Sequence, residues 1–131
     1  MRDIEKLLII LKETKGIWGR KRFQKIVFLL KEKFNIEFGY DFIPYFYGPY
    51  SMDLQNEINL LENVGAIDVD TDGEILYIHH LTDKGEKIAE EIKKTMDKDS
   101  VKRLVKGVKE LNKRPTESLT REAKEIIACL E

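Results

Sequence analysis

The chain has 131 residues and a mass of 15.4 kDa; 42% of it is apolar and 36% charged, with the charges interleaved, which suits a domain with a real core and excludes a disordered chain. Its longest apolar run, Leu7–Leu11, is far short of the roughly 20 residues of a membrane span; acids in the first five residues argue against a signal peptide, and the lone Cys129 excludes an internal disulfide or a cysteine-rich zinc site, so a cytoplasmic protein is expected. The net charge of −1 hides a segregation: residues 1–35 carry +6, residues 36–80 hold nine acids and no Lys or Arg, and residues 81–131 carry +2.

Ile4, Leu7, Leu8 and Leu11 repeat at helical spacing and predict an amphipathic helix over 2–14, closed by Gly16 and Gly19. Phe23, Ile26, Val27, Leu30 and Phe34 continue that period over 20–34, and Phe28 and Leu29 widen the stripe, as in a central helix. At Phe38, Tyr40 and Phe42 the period becomes two, and Pro44 limits this segment to an edge strand or an extended loop. Gly48-Pro49 is a turn, Ser51 an N-cap, and Leu54, Ile58 and Leu61 mark a third helix over 51–63. Ala66–Val69 and Glu74–His80 flank Asp72-Gly73 and predict a hairpin. Thr82 caps a fourth helix with Leu81, Ile88, Ala89 and Ile92 facing inward. Two further helices follow, over 99–113 (Val101, Leu104, Val105, Val108, Leu111) and 118–130 (Leu119, Ala123, Ile126, Ile127, Leu130), with Asn112-Lys113-Arg114-Pro115 between them. The expected fold is mainly α with a small β-sheet: a winged-helix-like domain over 1–96 and a C-terminal helical pair over 97–131. Because the core domain is already complete, the pair is expected to serve dimerisation through Val101, Leu104, Val108 and Leu111.

In this arrangement the 51–63 helix takes the place of a recognition helix and the hairpin that of a wing. The run Leu76-Tyr77-Ile78-His79-His80-Leu81-Thr82-Asp83-Lys84-Gly85 is similar to the wing-to-helix junction of many winged-helix regulators. Gly19-Arg20-Lys21-Arg22-Phe23-Gln24-Lys25-Ile26-Val27-Phe28-Leu29-Leu30 resembles the KLQKLLYF-type helix of YwgA-like proteins and of the Panacea-domain family. Tyr45-Phe46-Tyr47-Gly48-Pro49-Tyr50-Ser51 resembles their YGP segment, and the similarity covers about residues 4–92. The resemblance implies a winged-helix-like core, no enzymatic activity, and association with antitoxins and adaptors in which protein contacts outweigh DNA contacts.

The 51–63 helix presents Gln55, Asn56, Asn59 and Asn63, amides able to read adenine edges, yet it also carries Asp53, Glu57 and Glu62 and no cation. Phosphate contacts normally supply most of the affinity for DNA, so a solvated or protein-facing helix is the expectation. The hairpin, with Asp68, Asp70, Asp72 and Glu74, repels phosphate as well. Asp68–Gly73 matches the start of an EF-hand loop, but the twelfth position is His79 where a bidentate Glu is needed, so an acidic turn is expected, not a calcium site. His79 and His80 point to opposite faces of a strand, Cys129 falls on the apolar stripe of the last helix, and no nucleotide or nucleophile motif is present; no catalytic residue, metal or cofactor is assigned.

Two functions remain. One is a transcription regulator that binds duplex DNA through the basic cluster Arg20, Lys21, Arg22 and Lys25, with Gln55 and Asn59 toward the bases. The other is an antitoxin- or adaptor-type module that meets a basic protein through Tyr45, Tyr47, Tyr50, Asp53 and Glu57. The fold and the resemblance place the regulator slightly ahead; the charge distribution favours the interaction module.

Overall fold

A computed structural model describes residues 2–130. The elements run α1 (Asp3–Thr14), β1 (Ile17–Trp18), α2 (Arg20–Lys33), α3 (Met52–Asn63), β2 (Ile67–Thr71), β3 (Tyr77–Leu81), α4 (Asp83–Thr95), α5 (Lys98–Asn112) and α6 (Thr116–Leu130). The molecule is mainly α, with one small antiparallel sheet in the order β1-β3-β2. Side-chain caps start three helices where the sequence offers them: Leu54 N–H donates to Ser51 Oγ, Gly85 N–H to Thr82 Oγ1 and Ser100 N–H to Asp97 Oδ2.

α2 is the axis of the fold. Every residue from Phe23 to Leu30 is buried, because α5, α6 and the sheet pack around it. Gly107 of α5 makes one of these approaches possible: a Cβ there would sit 2.8 Å from Leu30 Cδ2. The two residues of β1 lie between Gly16 and Gly19, too few to register as an alternation; they pair with β3 as Ile17↔His79 and Trp18↔Ile78. β2 pairs with the other edge of β3, with Val69 opposite His79. The segment of Phe38, Tyr40 and Phe42 is extended and buries Phe38 and Tyr40, but it is a loop rather than a strand.

α5 and α6 pack on α1 and α2 of the same chain. Leu104, Val108 and Leu111, expected to face a second copy, are fully buried in the same core as the apolar residues of α1 and α2, and Val101 is half-buried. The core is therefore continuous across the boundary expected at 96/97, and the stripe offered for dimerisation is already covered. The buried stripe of α6 is Leu119, Ala123 and Ile127. Cys129, placed on that stripe by its spacing, is exposed instead, as is Leu130.

Candidate binding site beneath the tyrosine-rich turn

The YGP segment is a small loop closed by a bridge: Ile43 and Tyr50 exchange backbone hydrogen bonds of 2.9 Å, and inside it Tyr45 and Gly48 exchange two more of 3.1 Å. Gly48 is required twice. Its φ is +103°, and a Cβ there would lie 3.1 Å from Lys25 Cε and 3.4 Å from Lys124 Cγ. The loop thus sits directly on α2. Gln24, also buried, ties it down: its Nε2 donates to Ser51 O (3.0 Å) and its Oε1 accepts from Ser51 N–H (2.8 Å).

Between loop and helices lies a cavity of about 410 Å³. From α2 it is lined by Arg20, Lys21, Gln24 and Lys25; from the loop by Tyr45, Tyr47, Gly48 and Tyr50. α3 adds Gln55 and Asn59, whose side chains are joined by a 3.0 Å bond from Gln55 Nε2 to Asn59 Oδ1. Residues expected to serve two rival functions therefore share one concave site with no carboxylate in its lining.

The four cations of the basic cluster have different fates. Arg20 and Lys21 are exposed, with the Arg20 guanidinium 3.9 Å from the centre of the Tyr77 ring and Lys21 Nζ 3.3 Å from that of Tyr47. Arg22 turns inward and closes the link between α5 and α6, donating to Arg114 O (2.8 Å), Asn112 O (2.9 Å) and Thr116 Oγ1 (3.2 Å); burial lowers its pKa. Lys25 is only 2% exposed and donates to Pro49 O (3.1 Å). Burial first, then the charges of Lys21 and Lys124, push its pKa down to about 8. The expectation of a continuous phosphate-binding face thus gives way to two free cations and two internal ones. A helical wheel shows Lys25 opposite Phe23, but a helix enclosed from several sides has no fully solvated face.

Asp53 and Glu57 lie on the other flank of α3. The buried Tyr40 hydroxyl donates to Glu57 Oε1, and burial, that bond and the nearby carboxylates raise the tyrosine pKa. Glu57 is thereby part of the fold, whereas Asp53 is free at the surface. The tyrosine surface consequently borders cations, not the acids next to it in sequence. Two contributors were not among the expected site residues: Gln24, seen only as part of the KLQKLLYF-like run, and Lys124, which arrives from α6.

The acidic hairpin is built as a turn. Asp72 Oδ1 accepts the N–H groups of Glu74, Ile75 and Leu76 at 2.9–3.1 Å, which lowers its pKa, and Asp70 Oδ2 meets His80 Nε2 at 3.1 Å. A second cavity, about 380 Å³, contains Lys6, Glu37 and Arg103, but both cations there donate to backbone carbonyls, Lys6 to Glu37 O and Arg103 to Asn35 O. Among the described residues no helix is long and apolar enough to cross a membrane.

No model of a known protein family matches the chain. It is similar to a Bacillus subtilis protein named uncharacterized protein YwgA, with 35% identity over 68 residues, 51% of this chain and 40% of that protein. The match spans less than half of the relative's length. It agrees with a likeness to YwgA-like proteins.

Proposed function

We propose that this chain is a non-enzymatic, winged-helix-like interaction module that binds a protein partner at the Tyr45–Tyr47 turn, with exposed apolar residues of α3 as further contact surface. The observation that carries this reading is apolar surface held out to solvent: Phe46 is 82% exposed between Tyr45 and Tyr47, which are more than half exposed. On α3, Met52 and Leu60 are exposed too, as is its C-cap Val64. Aromatic and Met side chains on a rigid element are typical anchors of protein interfaces. The turn is rigid because Gly48, Gln24 and the Ile43–Tyr50 bridge fix it. The antitoxin and adaptor associations of the Panacea resemblance point the same way.

A duplex-reading regulator has one observation in its favour: Arg20 and Lys21 bring positive charge to the Gln55–Asn59 side of α3. Against it, Arg22 and Lys25 are internal, and the hairpin in the wing position is acidic.

The test is tandem affinity purification from the native host, comparing wild type, Phe46→Asp and the hairpin control Ile75→Asp. Wild type and control are expected to retain the same stoichiometric protein, and Phe46→Asp to lose it. Co-purification of nucleic acid instead, with duplex binding that falls steeply with salt and depends on Arg20 and Lys21, would overturn the proposal.

A further inference from the structure

The cavity beneath the turn holds positive charge that the fold itself does not balance. Arg20, Lys21 and Lys25 line it and no carboxylate does. Lys25 is almost completely buried, yet its one partner is a backbone carbonyl, so two of the three ammonium donors are without a protein partner. The first turn of α2 carries Arg20, Lys21 and Arg22 and no acid, which adds like charge to the positive end of the helix dipole. Each arrangement is unfavourable in the free protein, and each becomes favourable around an anion.

The remaining walls narrow the anion's chemistry. Tyr45, Tyr47 and Tyr50 supply flat aromatic surface, on which planar rings stack. The bond between Gln55 and Asn59 leaves Gln55 Oε1 as an acceptor and Asn59 Nδ2 as a donor, a pair suited to the edge of a heterocyclic base. The volume of about 410 Å³ lies within the roughly 300–1,000 Å³ of small-ligand sites.

We propose that this cavity is a binding site for a nucleoside monophosphate, with Lys25 and Lys21 around the phosphate, Arg20 adding positive charge from its place over the Tyr77 ring, the base against the tyrosines, and Gln55 and Asn59 at the base edge. Lys21 Nζ now rests 3.3 Å from the centre of the Tyr47 ring. A stacked base takes that place, and the ammonium moves to the phosphate. Because Lys25 titrates near pH 8 among Lys21, Arg20 and Lys124, binding weakens as the pH rises above 8. The tyrosines of the turn are the other titratable groups facing it. The site goes beyond the proposed protein contact, and the two separate experimentally: Phe46 does not line the cavity, so Phe46→Asp leaves nucleotide affinity within twofold of wild type.

The test is calorimetric titration of the full chain at pH 7 with AMP, GMP, CMP and UMP, with inorganic phosphate and the matching nucleosides as separate arms. At least one monophosphate is expected to bind with micromolar Kd, and phosphate and nucleoside at least tenfold more weakly. Lys25→Met should lose at least tenfold in affinity while melting no lower than wild type. Asn59→Ala, an exposed change that leaves the fold intact, should lose several-fold and alter the ranking of the four bases. Three results overturn the proposal: no monophosphate binding below millimolar concentration, phosphate binding as tightly as the best nucleotide, or a single-stranded tetranucleotide binding tenfold tighter than any monomer. The last would assign the site to a nucleic-acid strand.

Discussion

Lys25 and His79 are both buried bases, and each leaves a signature in the pH dependence of stability. His79 lies at the centre of the sheet, edge-on to Phe23 at 5.2 Å, with Nδ1 3.3 Å from Ile17 O, and burial lowers its pKa below 6.5. The unfolded chain therefore takes up a proton first as the solution is acidified. Stability is complete above about pH 6.5 and is lost below it, with a slope of at most ~1.4 kcal/mol per pH unit. Thermal melts between pH 7.5 and 5 should show this loss in wild type and a smaller one in His79→Gln. For Lys25, depression from 10.5 to about 8 corresponds to about 3 kcal/mol against the charged form. Losing the bond to Pro49 O in Lys25→Met costs roughly 1–3 kcal/mol, so the variant should be at least as stable as wild type at pH 7. Both states of wild type are protonated below about 8, so the penalty is fully present there. It is relieved between 8 and 10.5, and the advantage of Lys25→Met should shrink as the pH rises through that range. A variant clearly less stable at pH 7 would show that the lysine is structural. Neither burial was legible in the sequence: a lysine opposite a phenylalanine looks solvated, and only the enclosure of α2 makes it otherwise.

The helices could be read from the sequence to within a residue or two, because periodicity and caps agree at Ser51 and Thr82; the Asp97 cap, which starts α5 one residue earlier than expected, was not read. The alternation of Phe38 and Tyr40 correctly marked extended, inward-pointing chain, but alternation alone does not supply a strand partner. The packing of α5 and α6 was not legible, since an amphipathic stripe does not say what covers it. Arg22 and Gly107 are the local devices that settle this packing. Arg22→Met removes four hydrogen bonds from an ionised donor, one of them to Asn112 Oδ1, and leaves two carbonyls at the α5–α6 link without it; a loss of roughly 2 kcal/mol is expected. Gly107→Val forces side-chain atoms against Leu30 and Phe34 and should cost about 2 kcal/mol or more. Urea melts measure both, and values near zero would mean that the link and the α2–α5 contact contribute little.

At the scale of the molecule, the continuous core makes the C-terminal helices part of the fold. A 1–96 fragment should show no cooperative urea transition, and Leu104→Glu should unfold the chain by burying an unpaired charge rather than split a dimer; a folded, monomeric Leu104→Glu protein would restore the dimer interpretation. The charge segregation visible in the sequence also takes a different meaning in three dimensions. The cation-free middle third folds so that Tyr45, Tyr47 and Tyr50 share a cavity with cations of α2, while Glu57 meets Tyr40 and Asp68, Asp70, Asp72 and Glu74 lie in the hairpin. What reaches solvent at the turn is aromatic surface, the surface proposed to hold a protein partner. The most direct measurement is photo-crosslinking in living cells from a benzoyl-phenylalanine placed at position 46, with position 75 on the hairpin as control. A single discrete protein adduct at 46 and none at 75 is the predicted result; nucleic-acid adducts at 46, or the same protein adduct at both positions, would contradict it.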